Sequence, residues 1–531
     1  MLNQTTFEQF ESSVQKAIAQ GKIVATVIRE ILTDFITPLA AYAALRSLEG
    51  SAILESAGYD KEQGRYSVIA VNPYASFQIS RGEGMFKYLR PASYPPGKLV
   101  DRTFQNPLEA MAGLLKMFSP EKTREFFTGG AIGYFGHEAV SLLEPAVLRH
   151  PKDELNLPDA SFLFFRHVMV FDHISQTLFL IVNMLCDAGS CPGLYNEANG
   201  QLDWLEKKLR SYKFTDTVRG CPGIHIESNL TDAETEAMVV KAKEHIAAGD
   251  VFQVVLSRRF QTPLPAEYSL DFYRLLRKEN ASPYLFHIDF GNGSILVGAS
   301  PEVMVRVKER KMLIRPLAGT RMRGKNQEDD NARAYSLSTH PKEVAEHNML
   351  VDLGRNDVGK YCDANAICDA GGVKVSGLKR VEAYGAVLHM VTDVTGRLKP
   401  NVTALEAVLG SLPAGTLSGA PKVRALQIIA ELETSYRGPY GGAVGWVTDK
   451  EADTCILIRS AVLANGMLYW QAGAGIVADS DPESEREEIY LKSRSIRKVL
   501  ELMQKLFEGG KYNGTKRLGH TRKTRIDSGS L

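Results

Sequence analysis

A mixed α and β chain of two domains, divided near residue 225, is the architecture the sequence predicts, and three observations carry it. At 531 residues the chain exceeds what one hydrophobic core serves, and the length prior points to two to four domains. Before residue 225, apolar segments such as 65–71 (RYSVIAV) and 161–172 (SFLFFRHVMVFD) read as strands. After it, helix-period segments alternate with short strand-like runs.

Between about 185 and 223, DAGSCPG and RGCPG read as loop or linker. Residues 230–249 read as an amphipathic helix, with Thr231 as N-cap, Glu234 completing a capping box and Gly249 as the stop. Segments 251–260, 294–300, 441–447 and 455–463 are strand-like, and a last helix begins near Pro482 behind Asp481 and runs to about Phe507. The tail from 508 to 531 is Gly-rich, basic and without apolar periodicity, which reads as disorder.

Composition excludes several classes. Lys plus Arg number 63 against 62 for Asp plus Glu, a balance that argues against a nucleic-acid or anionic-membrane binder. No apolar run approaches the roughly 20 residues of a membrane span. The N-terminal stretch carries Glu8 and Glu11 and lacks an apolar signal core, so a cytoplasmic location is expected. Six cysteines are too few for a disulfide scaffold at this length, and none forms a CxxC pair, so no zinc site is expected.

Four segments of the C-terminal half carry chemistry. In 314–324, Gly319 and Thr320 read as a tight turn at a strand end, where backbone N–H groups and a hydroxyl face an anionic oxygen with Arg315 and Arg321 nearby. In 342–357, Val344, Met349, Leu350 and Leu353 form a buried helix stripe with Glu346 beside it; Glu346 is either a rim carboxylate paired with Lys342 or a ligand. In 412–429, Ser418 reads as the cap of a helix with Pro421 in its first turn, and Thr416 stands at its mouth, where N–H groups attract carboxylates. In 471–493, Gly473 and Gly475 let a ligand approach the backbone, and Glu485, Glu488 and Lys492 share one helix face. Those three are either a surface ion-pair ladder or part of a hard-cation site.

Together and in this order, PLAGTRMRG, LVDLGRND, GTLSGAPK and QAGAGIVADS resemble the chorismate-utilising enzymes, most closely the large subunits of anthranilate synthase, over about residues 30 to 505. The resemblance implies an α+β fold of antiparallel β-sheets packed against each other and flanked by helices. An N-terminal tryptophan-binding domain (1–225) would lie against a chorismate-binding catalytic domain (226–507), followed by the tail (508–531).

By the same resemblance, Glu346 and Glu488 are Mg²⁺ ligands, with the ring carboxylate of chorismate completing the site. Gly319, Thr320, Thr416, Tyr440, Arg459, Gly473, Ala474, Gly475 and Lys492 match positions that hold the substrate, Arg459 suiting the pyruvyl carboxylate. Glu302 matches a general acid that needs a raised pKa, and His389 a histidine used in pyruvate elimination. Gln253 stands where isochorismate-forming relatives carry a lysine base, and Ala318 where aminodeoxychorismate synthases carry a lysine nucleophile. Lacking both, the chain is expected to use ammonia, giving aminodeoxyisochorismate and then anthranilate with loss of pyruvate.

No GxCxG-type cysteine of a glutaminase is present, so a separate glutamine amidotransferase subunit is the implied partner. Glu55 and Ser56 on one wall, and Asn280, Pro283, Tyr284 and Leu285 on the other, match the positions that bind L-tryptophan as feedback inhibitor. His287 and Trp446 stand where tyrosines are usual. The rival readings are a folate-type aminodeoxychorismate synthase, an enzyme that stops at aminodeoxyisochorismate, and a non-catalytic tryptophan-binding subunit.

Overall fold

Strand Ala160–Asp172 is the seam of the molecule, buried at all thirteen positions. Its unbroken run of aromatic and branched residues is what a strand covered on both faces requires. In this computed structural model, which describes residues 2–509 apart from 48, 58–63, 90–99, 148, 187–190, 216, 365–371 and 385–386, two arms of sheet leave that seam. On one edge it pairs with Tyr66–Ser80; on the other it pairs with Ala131–Phe135 along its first part and with Thr177–Leu185 along its second. The basic tail beyond Gly509 lies outside the described residues.

The first arm runs from Tyr66–Ser80 through Ser51–Glu55, Tyr284–Asp289, Ile295–Ser300, Ser460–Ala464 and Met467–Ile476 to Gln253–Pro263. The second runs from Ala131–Phe135 through Ala443–Val447, Ala452–Ile456, Val303–Lys308 and Lys311–Ile314 to Val387–Arg397, which also takes Leu317–Met322 and Val373–Tyr384. Every pairing among the described strands is antiparallel, as the α+β expectation holds. Each arm passes from the first 225 residues into the rest, at Leu285 opposite Glu55 and at Gly445 opposite Gly133.

Three large cores hold this frame, beside a small cluster of Leu337, Leu388 and Met390. One packs the first arm against helices including Asp232–Ala247, Lys422–Leu432 and Pro482–Glu508. A second packs the other arm against Pro107–Phe118 and Ala404–Gly410. The third lies between the arms, where Phe286 and Leu296 of the first meet Val444 and Cys455 of the second. The helix caps fall where the residues demand them: Thr231 and Glu234 form the capping box, Asp481 caps the last helix, and Gly249 follows the first with φ +82°.

The region 185–223 departs from its expected loop character: helix Cys191–Ser211 fills most of it. Pro192 sits in its first turn, where the missing N–H costs no bond, and Ala198, Leu202, Leu205 and Leu209 bury one stripe. Among the described residues no helix is long and apolar enough to cross a membrane.

Gly133 and Gly445 face each other in the strand pair that joins the halves of the second arm. A Cβ on Gly133 would overlap the Ser161 carbonyl, and one on Gly445 the Asp453 carbonyl. Gly133→Val is therefore expected to cost about 3 kcal/mol or more of stability, read as a lowered midpoint in denaturant.

Candidate active site

The chain changes arms twice within a few residues, and a site residue lies in each gap. Strand Ile295–Ser300 belongs to the first arm and Val303–Lys308 to the second, with Glu302 between them. Ala452–Ile456 belongs to the second arm and Ser460–Ala464 to the first, with Arg459 between them. The crossings are tied together: Ile456 N donates to the Glu302 carbonyl at 3.0 Å, and Ala299 N to the Arg459 carbonyl at 3.2 Å. Arg459 holds φ +52°, a conformation a non-glycine residue keeps only where its surroundings enforce it.

Glu302 is 6% exposed, and burial pushes its carboxyl up to about 8 against smaller opposing effects of the Leu317 backbone, Thr416 and Lys492. The Thr416 hydroxyl stands 3.4 Å from both carboxyl oxygens. The Arg459 guanidinium makes no hydrogen bond or ion pair with any described residue, and burial pulls it below the usual arginine range against the opposing influence of Tyr440 and Glu488. A largely desolvated cation whose donors have no direct partner is a place for an anion to bind.

His389, on strand Val387–Arg397, directs Nδ1 at the Gly319 carbonyl at 2.9 Å, with the Thr320 hydroxyl at 3.3 Å. A carbonyl only accepts, so Nδ1 carries the proton and Nε2 the lone pair. Burial holds this histidine below its ordinary pKa, so it is neutral at pH 7. Gly319 and Thr320 do not close a strand-end turn: strand Leu317–Met322 runs through them with a register shift, and Gly319 takes φ +67°. The bulge turns the Gly319 carbonyl onto His389. Arg315 and Arg321 are occupied by Asp393 and Glu343, at 2.5 and 3.0 Å, so neither is free to meet an anion.

Helix Pro341–Tyr361 carries Glu346 and helix Pro482–Glu508 carries Glu488. Burial, and then the nearby Glu343 and Glu488 carboxylates, raise the Glu346 pKa against the opposing charge of Lys492. Lys492 Nζ lies 2.7 Å from Glu488 and donates to the Gly473 carbonyl at 2.9 Å. Glu485, on the same face, is buried and accepts from Ser480 at 2.6 Å, so it is taken up locally. Among the described residues no three His, Cys, Asp or Glu side chains cluster closely enough to hold a metal by themselves.

On strand Met467–Ile476, Gly473 packs against Tyr440 and Gly475 against Gln253: a Cβ would come within 2.9 Å of the Tyr440 hydroxyl, or overlap the Gln253 amide. Gln253 is buried, and its Oε1 has no hydrogen-bond partner. Ala474, expected beside the glycines as a substrate contact, turns its side chain into the helix-side core. The alternation of a strand requires that, so only its backbone can reach the site. Ser418 is not a helix cap either: its hydroxyl donates to the Ala414 carbonyl at 3.0 Å, and the helix starts at Lys422 with Pro421 as N-cap.

The residues expected at the inhibitor site share another part of the first arm, where Glu55 and Leu285 are strand partners. Glu55 accepts from Tyr273 at 2.7 Å and from Arg277 at 3.1 Å. Asn280 donates to the Ala299 carbonyl at 3.1 Å, Pro283 precedes the strand, and Tyr284 donates to Asp453 at 2.7 Å. Ser56 follows directly on Glu55 at the strand end. His287 lies between Tyr42 and Ser269, at 2.7 and 3.1 Å, and burial brings it down to about 3.

Because Glu302 binds a proton in the fold at pH values where the unfolded chain has released it, stability falls as pH rises from about 4.5 towards 8. Glu302→Gln, which cannot ionise, is expected to flatten that fall and to exceed wild-type stability at pH 8 by about 1–3 kcal/mol, measured by denaturant unfolding at both ends of the window.

Comparison with known proteins matches this geometry to a family. The model of the chorismate binding enzymes aligns with residues 50–498. Anthranilate synthase component 1 of Acetivibrio thermocellus is 36% identical over 500 residues, covering 92% of this chain and 97% of that protein. Its namesake from Neisseria meningitidis serogroup C is 38% identical over 497 residues, covering 92% and 98%. The crystal structure of anthranilate synthase component I from Streptococcus pneumoniae superposes with a TM-score of 0.70 at 33% identity, over 88% of this chain and 98% of that one. The menaquinone-specific isochorismate synthase of Escherichia coli, at 17% identity and a TM-score of 0.67, shares the fold over 92% of this chain and 99% of its own. This chain belongs to the chorismate binding enzyme family, among its anthranilate synthase component 1 members.

Proposed function

We propose that this protein converts chorismate and ammonia to anthranilate, pyruvate and water, as the large subunit serving the first committed step of tryptophan synthesis. The observation that carries the proposal is the buried Glu302 carboxyl, raised to about 8 and facing Thr416, in a site whose Arg459 guanidinium forms no direct ion pair among the described residues. A carboxyl in that state is protonated at neutral pH and serves as a general acid.

Glu302 gives its proton to the ring hydroxyl, which leaves as water, while ammonia bonds to the ring carbon beside the one that bears the carboxylate. The added nitrogen then loses a proton to solvent, leaving aminodeoxyisochorismate. His389 Nε2, neutral and oriented through Nδ1, takes the proton from the aminated carbon. The electron pair closes the aromatic ring and the enolpyruvyl C–O bond breaks, expelling the enolate of pyruvate. Its methylene carbon takes up a proton to give pyruvate, as His389 and Glu302 return to their starting protonation states by exchange with solvent. Arg459 holds the pyruvyl carboxylate throughout, and Tyr440, Gly473 and Lys492 form the wall behind it.

Glu346 and Glu488 suit a hard divalent cation: both offer carboxylate oxygens, and their mutual repulsion contributes to the raised Glu346 pKa. Two protein carboxylates leave room for a substrate carboxylate, so Mg²⁺ bound there would neutralise and orient the ring carboxylate. Ammonia would come from a glutamine amidotransferase partner. Glu55, already aligned by Tyr273 and Arg277, suits the amino group of an L-tryptophan inhibitor lined by Ser56, Asn280, Pro283, Tyr284 and Leu285.

Anthranilate fluorescence from purified protein with chorismate, Mg²⁺ and ammonium tests the reaction. The expected product is lost by at least a hundredfold in Glu488→Ala and falls when tryptophan is added. At constant free ammonia the rate should decline as pH rises through about 8, where Glu302 loses its proton. Chorismate consumed without anthranilate would mean an enzyme that halts at the amino intermediate, and no turnover would favour a tryptophan-binding regulatory subunit.

A further inference from the structure

Arg437 is only 2% exposed and touches none of the groups assigned to the reaction except the face of the Tyr440 ring, 5.7 Å from its guanidinium carbon. Its guanidinium is nevertheless fully engaged. Nε and Nη2 donate to the two oxygens of Glu433 at 2.9 and 2.5 Å. Nη2 also donates to the Val255 carbonyl at 2.7 Å, and Nη1 to the Leu417 carbonyl at 2.8 Å, with His137 Nε2 at 3.3 Å. All five donors of the planar fork thus have acceptors.

The two carbonyls belong to two adjoining segments, the turn that bears Thr416 and the strand that bears Gln253. Leu417 follows Thr416, in a loop whose next residue, Ser418, has φ −121° and ψ −80°, outside helix and strand. Leu417 and Ser418 donate back to the Ala414 and Gly415 carbonyls in a single 3₁₀ turn, and the Leu417 carbonyl at its end is bound by Arg437 instead. Val255 lies two residues beyond Gln253 on strand Gln253–Pro263, so their side chains share a face. Val255 N in turn donates to the Ser418 carbonyl at 2.9 Å, and Glu433 accepts from Ser257 N and Oγ at 2.7 and 2.9 Å. An ion pair with Glu433 alone would need two of the five donors; the others bridge the loop and the strand.

We propose that Arg437 is a positioning residue, a clamp that sets the distance between the loop bearing Thr416 and the strand bearing Gln253. The proposal rests on those residues forming the substrate site of the chorismate reaction. Lysine could keep the charge opposite Glu433 but not the planar fork that reaches both carbonyls at once. The clamp therefore predicts a selective loss of substrate affinity in a folded Arg437→Lys protein.

The test compares Arg437→Lys with Lys22→Met, which removes a buried cation whose 2.9 Å partner, Asp449, is remote from the site. Chorismate Kd by calorimetry and KM by turnover are both measured, together with thermal midpoints. The expected result is a Kd and KM raised at least tenfold in Arg437→Lys and within twofold of wild type in Lys22→Met, at comparable loss of stability. Glu433→Asp, which draws the guanidinium back without unbalancing charge, should raise both by at least threefold, and decides the matter if Arg437→Lys does not accumulate folded. Wild-type Kd in either folded variant would overturn the clamp. Calorimetry needs no turnover, so a wild-type protein that binds chorismate but makes no anthranilate would remove the proposed reaction while still deciding the clamp.

Discussion

The double passage of the chain between two face-packed sheets is the constraint on which the site depends. A strand that leaves one sheet for another cannot keep its ladder, so the residues at each passage lose regular partners while remaining between the sheets. Glu302 and Arg459 occupy those two places, and the crossings are locked to each other through Ile456 N and Ala299 N. The left-handed backbone of Arg459 and the Gly319 bulge are local departures from regular structure that the surrounding antiparallel pairing over-determines. Large cores on three sides make that possible, because displacing one crossing would disturb packing shared by both arms.

Burial then shifts Glu302, Glu346, His389 and Arg459 towards neutrality, but with different consequences. It keeps Glu302 protonated and His389 unprotonated over a common range, so an acid and a base coexist near neutral pH. It also disfavours the charge of Arg459, so in the proposed reaction part of the substrate's binding energy would be the relief of that cost. Lys492 lowers the pKa of both Glu302 and Glu346, linking the acid to the carboxylate pair by charge. These groups together disfavour isolated charge, which in the proposed reaction would suit an anionic substrate accompanied by a divalent cation.

Much of this was legible in the sequence, and what was not has identifiable physical reasons. Periodicity placed the helices at Asp232–Ala247 and Pro482–Glu508 because capping boxes and aspartate caps are local signals. Helix Cys191–Ser211 was hidden because Pro192 and Gly193 at its start read as loop punctuation, whereas its buried stripe depends on the sheet beneath it. Ser418 stands three residues before Pro421 and so resembles a cap, yet strand pairing of Gly419–Ala420 with Gln253–Pro263 delays the helix to Lys422. Arg437 and Glu433 form an i, i+4 pair that elsewhere would be a surface ladder; only tertiary placement makes it a buried clamp. The residues around Glu302 and His389 carried no local signal of catalysis, and the resemblance of whole motifs was needed to single them out.

The choice of nucleophile turns on a vacancy in hydrogen bonding, not on a charge. In the proposed reaction ammonia is already nucleophilic and needs an acceptor to hold it, whereas water would need a base to remove its proton. Gln253 offers such an acceptor: its Oε1 is buried without a partner, a state that costs about 1–3 kcal/mol until a donor arrives. An amide oxygen can receive an N–H of ammonia, yet it is too weak a base to activate water. Gly475 keeps that amide in place, since any side chain there would collide with it, and Ala318, in the bulged strand of the other arm, brings no amine. In the proposed reaction, a site so arranged would disfavour attack by water by withholding the base and admit ammonia by supplying an acceptor for its N–H.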